Sequence, residues 1–357
     1  MNASGNDQRA VTALIGTGMV ARTHMVALMA ASDAVRLAGV SARRIENAQS
    51  FAEEFANELG GLNVYQDVAA IAADPTIDFA IVVTPPNARM HVIAPLAEAG
   101  KHVLLEKPVA RTAAEATELV AFCEQKGVKL GIVFQHRMRE ASMAAAKLVA
   151  SGSLGALGVA EINVPWWREQ AYYDEPGRGT YARDGGGVLI SQAIHTIDLA
   201  LSLTGPVSSV QAMAATSRFH TMESEDFVTA GLRFASGAVG SLVASTASYP
   251  GGAETITLHF DKASLHLGSG VLTVSWRDGK TETFGASATT GGGADPMAFT
   301  HDWHQGIIED FVSAVREDRD PVVTGRAALA SHTLIDAIIL SSREGRTVEM
   351  KALEVSA

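Results

Sequence analysis

The chain has 357 residues, of which 47% are hydrophobic and 19% are charged. This length predicts two domains, and this composition provides a large core and argues against disorder. The formal net charge of -11 disfavours general nucleic-acid binding, because an acidic surface repels a phosphate backbone. The single cysteine, Cys123, excludes an intrachain disulfide and a multi-cysteine metal site.

Residues 1–10 are polar and lack the apolar run of a signal peptide. The sequence also has no run of about 18 uninterrupted apolar residues that could span a membrane. A single cysteine fits a reducing compartment. These features together predict a cytoplasmic protein without a membrane partner.

Up to residue 135, apolar runs typical of buried strands alternate with segments of helical composition. This alternation predicts an N-terminal domain, residues 1–135, with a parallel sheet covered by helices on both faces. The predicted strands are residues 10–15, 35–40, 77–83, 102–105 and 128–134. The predicted helices are residues 20–31, 45–59, 90–99 and one that Thr112 and Glu115 open as a capping box and that ends at Gly127.

From residue 136 on, strand-like runs dominate. Residues 207–276 contain several of them without a helix in between, with hairpin turns predicted in residues 234–239 and 268–270. A C-terminal α+β domain, residues 136–357, with a large and mainly antiparallel open sheet is therefore predicted. Its other predicted elements are helices at 142–150, 188–203, 303–316 and 326–342, a strand at 159–164, and loops at 165–187 and 286–294.

A G-x-G-x-x-A sequence begins at Gly16, between the first predicted strand and the first predicted helix. Glycines there permit a tight turn and let a pyrophosphate approach the backbone at the positive end of the helix. The motif predicts a bound nicotinamide dinucleotide. Its contacts are predicted at Gly16, Thr17, Gly18, Met19 and Val20.

The end of the second predicted strand reads Ser41-Ala42-Arg43-Arg44. An acidic residue at this place would accept from the ribose hydroxyls of NAD, and none is present. Because arginine forks suit a phosphate dianion, Ser41, Arg43 and Arg44 are predicted cofactor contacts and NADP is favoured over NAD. The alternative is that both arginines are solvated residues at the start of a surface helix.

Two more predicted strands end in polar residues, at the edge where open parallel sheets bind ligands. The first continues as Thr84-Pro85-Pro86-Asn87, with His91 one helical turn further on, and the second as Glu106-Lys107. All of these residues are predicted cofactor contacts. Desolvation in a cleft would lower the pKa of Lys107 and make it a proton donor or relay. The alternative is a structural ion pair of Glu106.

The densest polar cluster of the C-terminal domain follows Gly185-Gly186-Gly187 on a predicted helix. Ser191 and His195 are four residues apart, and His195 and Asp198 are three apart, so a helix places them on one face. This face would carry a proton carrier, His195, with Asp198 to orient it and Gln192 beside it. The alternative is that His195 is a core residue.

In chain order, the segments GTGMVA, TPPN with His91, GKHVLLEKP, FQHR and GGGVLISQAIHTID resemble the Gfo/Idh/MocA family of nicotinamide-dependent oxidoreductases. The resemblance implies a Rossmann domain and a C-terminal domain whose open sheet is often buried in a homodimer or homotetramer. It also implies that Lys107 and His195 are catalytic and that the Lys107–Pro108 peptide is cis. Gln135, in the segment FQHR, completes the predicted cofactor contacts.

One position departs from the family pattern. Many sugar and inositol dehydrogenases of the family carry an aspartate four residues before the histidine, where this chain has Ser191. A serine supplies only hydrogen bonds, which bears on the substrate and not on the reaction type. The predicted loop 165–187, here called the aromatic loop, resembles loops of the family that suit sugar stacking, and its arginines suit a carboxylate. The alternative is that its aromatic residues pack in the core. The predicted substrate contacts are Lys107, Arg168, Tyr172, Arg178, Ser191, Gln192 and His195.

The predicted function is hydride transfer between a nicotinamide and a sugar or polyol carbinol. His195 would take the hydroxyl proton, and Lys107 would stabilise the negative charge that develops on the same oxygen. One alternative is a dehydrogenase of a cyclic diol acid, and another is an inactive, cofactor-bound sensor. No metal is predicted, because the pair His301 and His304 has no clear third ligand.

Overall fold

A computed structural model describes residues 8–59, 61–288 and 299–350. The chain divides into two compact units. The first unit contains the chain up to Val109, Thr117–Val133 and His301–Gly325, and the second contains Ala110–Ala116, Phe134–Thr300 and the chain from Arg326 onward. The sequence-based boundary at residue 135 differs from this division chiefly in placing residues 301–325 in the second domain.

The sheet of the first unit has six parallel strands in the order β3-β2-β1-β4-β5-β6. Five of them were predicted, and β1 has the predicted bounds. The short β3 was missed, because a two-residue strand leaves no periodic pattern. The strands are β1 (Ala10–Ile15), β2 (Val35–Ser41), β3 (Asn63–Val64), β4 (Phe79–Val82), β5 (His102–Glu106) and β6 (Leu130–Val133).

Six helices accompany these strands: α1 (Ala21–Ala30), α2 (Ile45–Glu54), α3 (Ala56–Leu59), α4 (Val68–Ala73), α5 (Arg89–Glu98) and α6 (Ala113–Gln125). The single helix predicted for residues 45–59 is interrupted at Phe55. Asp67 caps α4, which was not predicted, by accepting from the Ala70 N–H at 2.9 Å. The capping box is half formed: Thr112 accepts from the Glu115 N–H, whereas the Glu115 carboxylate binds Arg111.

The second unit is built on a nine-stranded sheet with the order β14-β13-β12-β11-β7-β10-β9-β8-β15. Only the pair β7 and β10 is parallel, so the mainly antiparallel prediction is confirmed. The strands are β7 (Leu157–Pro165), β8 (Val207–Ala215), β9 (Phe227–Phe234), β10 (Val239–Ser245), β11 (Thr255–Phe260), β12 (Ala263–Gly268), β13 (Val271–Trp276), β14 (Thr281–Gly285) and β15 (Val348–Glu349).

The remaining helices are α7 (Glu140–Ala150), α8 (Gln170–Tyr173), α9 (Ile194–Thr204), α10 (Asp302–Arg316) and α11 (Gly325–Glu344). A π-helical turn, Leu189–Ala193, precedes α9, where the sequence predicted one regular helix over residues 188–203. Short 3₁₀ turns cover Pro86–Ala88 and Gln135–Met138. Within the described ranges, no helix is long and apolar enough to cross a membrane. Residues 289–294 of the predicted loop lie outside the described residues.

Helix α10 belongs to the first unit because its side chains fill the space against that unit's sheet. A Cβ atom at Gly131 would lie 2.5 Å from the Phe311 ring, so β6 needs a glycine where α10 packs. The rings of Phe79 and Phe311 meet edge to face at 5.3 Å. After the helix, Val323 accepts a backbone hydrogen bond from Ile132 at 3.0 Å.

Candidate active site

Four strands of the first unit end at one edge of the parallel sheet, and the predicted cofactor residues follow them. Gly16–Val20 follow β1, and Ser41–Arg44 lie at the end of β2. Thr84–Asn87 follow β4, and Lys107 follows Glu106, the last residue of β5. His91 is exposed in the first turn of α5. The first unit therefore brings these segments to the same edge, while Gln135 belongs to the second unit.

The glycine turn after β1 has the backbone geometry that a dinucleotide requires. Gly16 has φ +109°, and a Cβ there would lie 3.0–3.1 Å from Val83. A Cβ on Gly18 would meet nothing within 4 Å, so the backbone is open on that side. Across the edge, the Thr84 hydroxyl is buried without a hydrogen-bond partner among the described residues. The turn and this hydroxyl fit a pyrophosphate-containing cofactor.

The end of β2 leaves two arginines exposed. Ser41 is buried and accepts from the Gly16 N–H at 2.8 Å, so it ties β2 to the glycine turn. Arg43 and Arg44 are exposed, and Arg44 lies 3.8 Å from Glu46. An ion pair this open holds Arg44 only weakly.

Glu106 is buried at the end of β5, between two histidines. Its Oε1 lies 2.8 Å from His24 Nε2 and 3.6 Å from His304 Nε2, and its Oε2 accepts the backbone N–H of Lys107 at 3.1 Å. Burial opposes the charge, but the hydrogen bonds from both histidines hold the pKa of Glu106 well below its usual range. The Lys107–Pro108 peptide is cis, as predicted.

Sequence reasoning missed three residues around Glu106. His24 follows the glycine motif by three residues, and His304 was set aside for want of a third partner. Arg89 is buried in α5 and donates to the Val82 carbonyl at 3.1 Å. Burial lowers the pKa of Arg89 to about 9, against the attraction of Glu106. The sequence signal that could have identified Arg89 is its position two residues after the TPPN segment.

In the second unit, the glycine run positions the start of the histidine helix. A Cβ on Gly187 would lie 1.8 Å from the Glu225 carbonyl oxygen, so only glycine fits. The Glu225 carboxylate accepts from the N–H groups of Gly187 and Leu189 at 3.2 and 3.1 Å. The π turn then begins. Because its helical turns are wider than those of an α-helix, Ser191 and His195 do not have the regular α-helical spacing that the prediction assumed. Turns of this type occur frequently at functional sites.

His195 is buried in the first turn of α9 among aromatic rings. The His136 ring stacks on it at 4.8 Å with an interplanar angle of 26°, and Phe134 meets it edge to face at 5.9 Å. The Nδ1 atom of His136 lies 4.0 Å from Glu254 Oε1, which also binds Arg139 at 2.6 Å. The His136 ring therefore connects His195 with the buried ion pair of Glu254 and Arg139.

The predicted role of Asp198 needs correction. Both carboxylate oxygens of Asp198 accept from Arg137, each at 2.7 Å, so this carboxylate ties α9 to the 3₁₀ turn Gln135–Met138. Burial raises the pKa of Asp198 although Arg137 opposes that shift. The segment FQHR thus supplies the partner that the sequence could not identify, 61 positions away from Asp198.

The aromatic loop gathers its polar residues around Tyr172. The guanidinium groups of Arg178 and Arg168 lie 4.5 and 5.8 Å from the centre of the Tyr172 ring. Its hydroxyl accepts from Arg178 Nη1 and from Gln192 Nε2, each at 3.2 Å. In the described region the Gln192 Oε1 atom is buried and has no hydrogen-bond partner. The structure thus brings together four of the predicted substrate residues.

Other aromatic residues of the loop pack in the core, as the alternative interpretation of the sequence predicted. Trp166 is buried and its Nε1 donates to Glu254 Oε2 at 3.3 Å. Tyr173 is buried and shares a hydrogen bond with Thr246 at 2.6 Å. His220 bridges Asp226 and the Arg168 carbonyl at 2.7 and 2.8 Å, which holds the loop backbone.

The strand order and the glycine turn of the first unit define a dinucleotide-binding domain of the Rossmann type. Residues 11–134 match the model of the oxidoreductase family with an NAD-binding Rossmann fold, and residues 142–266 match the Gfo/Idh/MocA C-terminal domain. The chain belongs to the Gfo/Idh/MocA family, and it is an NAD(P)-dependent dehydrogenase that acts on CH–OH groups.

Similar proteins include named dehydrogenases. The D-apiose dehydrogenase of Paraburkholderia graminis is 28% identical over 97% of this chain and 91% of its own length. The NADP-dependent scyllo-inositol 2-dehydrogenase of Bacillus subtilis is 24% identical over 84% of this chain and 86% of its own. The WlbA dehydrogenase of Bordetella pertussis, solved with NADH and UDP-GlcNAcA, has 26% identity and a TM-score of 0.81, covering 97% of this chain and 99% of that one.

Proposed function

We propose that the protein oxidises or reduces a sugar or polyol carbinol with a nicotinamide dinucleotide, and that Lys107 and His195 act on the substrate oxygen. The observation that carries this proposal lies in the first unit: Lys107 follows β5 at the same sheet edge as the glycine turn. The dehydrogenases of D-apiose and scyllo-inositol support the substrate class.

In the oxidative direction, the bound nicotinamide would accept the hydride from the carbinol carbon. His195 takes the hydroxyl proton on a ring nitrogen, and the Lys107 ammonium donates a hydrogen bond to the oxygen as its negative charge develops. Gln192 and Ser191, in the π turn before His195, supply hydrogen bonds to other hydroxyls. Tyr172 offers a ring face on which a sugar can stack.

We propose NADP as the preferred cofactor. Ala42 stands where an acidic residue would select NAD, so a 2′-phosphate meets no repulsion there. Arg43 and Arg44 are exposed at this strand end. A charge-assisted contact contributes roughly 1.5–3 kcal/mol, which is a preference of about tenfold to a hundredfold. In Arg43→Ala, the ratio of kcat/KM for NADP over NAD should fall towards one, and a ratio that does not move would refute the arginine's role.

A carboxylate-bearing diol is the second candidate, because Arg168 is buried beside Tyr172. Arg178 also lies beside Tyr172 and binds Glu175 at 2.7 Å. A screen of D-apiose, scyllo-inositol, levoglucosan and D-glucuronate with NAD⁺ and NADP⁺, followed by the absorbance of the reduced nicotinamide, separates the two. Turnover of D-glucuronate alone would favour the carboxylate.

Lys107→Met should lower kcat about 10²-fold to 10⁴-fold, as the loss of an acid–base group does. Lys126→Met is the matched control, because Lys126 is an exposed lysine of the same unit with a loose ion pair to Glu98 at 3.8 Å. Full activity of Lys107→Met would contradict the proposed chemistry.

We further propose a homodimer or homotetramer formed through the second unit's sheet. Val159 on β7 and Val239 on β10 are register partners, 38% and 44% exposed, and Met213 on β8 is 53% exposed. Apolar side chains on an open sheet face suit burial against a second copy. Light scattering of Val159→Lys should show smaller particles than the wild type, and an unchanged mass would refute this interface.

A further inference from the structure

We propose that His24 and His304 are positioning residues: with Glu106 they form a buried clamp that fixes the backbone of Lys107. The inference rests on the proposed function only for the role of Lys107, and the geometry stands by itself within the first unit. The clamp joins three elements, because His24 lies on α1, Glu106 ends β5 and His304 lies on α10.

The two carboxylate oxygens of Glu106 contact different partners. Oε1 faces His24 Nε2 at 2.8 Å and His304 Nε2 at 3.6 Å, while Oε2 accepts the Lys107 N–H at 3.1 Å. The two imidazole rings meet edge to face at 5.0 Å. A carboxylate held on one oxygen cannot rotate without breaking the bond on the other, so the histidines restrain the Lys107 backbone.

The tautomer of His24 follows from its surroundings. His24 is fully buried, and within the described parts of the chain its Nδ1 has no hydrogen-bond partner. A buried N–H without an acceptor is costly, so the proton belongs on Nε2, where Glu106 accepts it. Burial also lowers the pKa of His304, and the positive charge of Lys107 contributes to this shift. The Nε2 atom of His24 therefore donates to the Glu106 carboxylate.

A metal ion is the competing explanation, because the ligand atoms of His24, Glu106 and His304 lie within 4.8 Å of one another. Two observations favour the clamp. Ligands about 2.0 Å from a tetrahedral zinc ion are about 3.3 Å apart, whereas His24 Nε2 and Glu106 Oε1 are at hydrogen-bond distance. Ligating histidines also donate their second ring N–H to an acceptor, and His24 Nδ1 has none among the described residues.

The clamp connects cofactor binding with the lysine. Helix α1 begins directly after the glycine turn, and His24 lies in its first turn. Arg89 is buried and interacts electrostatically with Glu106, so it supplies a positive charge to this region at neutral pH. The negative charge of Glu106 is thus balanced from within the unit, and the helix that receives the pyrophosphate is tied to the turn that carries Lys107.

The test compares His24→Leu, which cannot donate, with His24→Gln, whose amide can donate to Glu106. After reductive ¹³C-methylation of the eight lysines, the NMR signal of Lys107, assigned by its loss in Lys107→Arg, should shift in His24→Leu and return towards the wild-type position in His24→Gln. A wild-type Lys107 signal in His24→Leu would overturn the clamp.

Turnover provides the second readout. For a substrate that the screen identifies, His24→Leu should lower kcat about 10-fold to 100-fold without a matching change in KM, as a misplaced catalytic group does. His102→Gln is the matched control, since His102 lies on the same strand and accepts from the Lys129 N–H at 3.0 Å. Normal kcat in His24→Leu with an inactive Lys107→Met would refute the clamp and keep the proposed function.

Two further results decide the remaining cases. If His24→Leu does not fold, Glu106→Met serves, because its side chain has no oxygen that could accept the Lys107 N–H, and the Lys107 signal should shift. An unmoved signal there overturns the clamp as well. Elemental analysis of the purified protein that finds one zinc per chain, removable by a chelator, would replace the clamp with a metal site.

Discussion

The two units each bury a carboxylate next to a proposed catalytic residue, and they stabilise it differently. Glu106 is contacted by two histidines on separate helices, and its pKa is held low. Asp198 is bound by one arginine fork, and burial still raises its pKa. Two partners on separate helices thus favour the charged form of Glu106 more strongly than one arginine fork favours that of Asp198.

The largest expected effect concerns the second unit. Arg137→Met leaves Asp198 buried without its two hydrogen bonds, and the free energy of unfolding should fall by about 3–5 kcal/mol. Denaturant titration measures it, and Arg233→Met, at an exposed arginine of β9, is the control. A loss under about 1 kcal/mol would show that Asp198 is protonated in the folded state and needs no partner.

The second prediction is that the free energy of unfolding depends on pH, because a histidine is buried in the second unit. Burial lowers the pKa of His332, on α11, to about 4. The unfolded chain then binds one more proton between pH 4 and 6.5, so the free energy of unfolding should fall by about 3 kcal/mol as the pH drops through that window.

The variant His332→Leu should remove this part of the acid sensitivity, because leucine has no proton to bind. The measurement is the free energy of unfolding of both proteins at several values between pH 4 and 7. Parallel curves for the variant and the wild type would show that His332 is not the group responsible.

The smallest expected effect is at the aromatic loop. Tyr172→Phe removes the hydroxyl that Arg178 and Gln192 share, and one hydrogen bond contributes about 0.5–1.5 kcal/mol, so KM should rise roughly twofold to tenfold. Tyr249→Phe is the control, because Tyr249 is 78% exposed. Equal kinetics in the two variants would show that Tyr172 organises no substrate contact.

Local patterns predicted much of the fold. The strand at Ala10–Ile15 was predicted to the residue, because a mainly apolar run begins after Arg9 and ends at Gly16. The change from alternating elements to consecutive strands correctly separated a parallel from an antiparallel sheet. The break at Phe55 and the π turn Leu189–Ala193 were not predictable, because both are changes of hydrogen-bond register within a helical composition.

The candidate site divides in the same way. The glycine turn, the residues after β4 and Glu106-Lys107 were predicted to share one edge because each is at the end of a buried strand, and the strand order places them there. Partners were not found: Asp198 was assigned to His195, three positions away, whereas it binds Arg137. A sequence shows which side chains are close along the chain, but it does not show which distant side chains become their partners in the fold.

By itself, the sequence determined the dinucleotide-binding class and the change from alternating strands and helices to consecutive strands, because both depend on local patterns. It also predicted the two residues proposed as catalytic, Lys107 and His195. The tertiary structure decided how the buried charges are held. Residues 24, 106 and 304 share no local pattern, and only the packing of α1 and α10 on the first unit brings His24 and His304 to Glu106. Burial then lowers the pKa of His304, while the contacts of Glu106 hold the pKa of that carboxylate low, since the cost of a charge depends on everything that surrounds it.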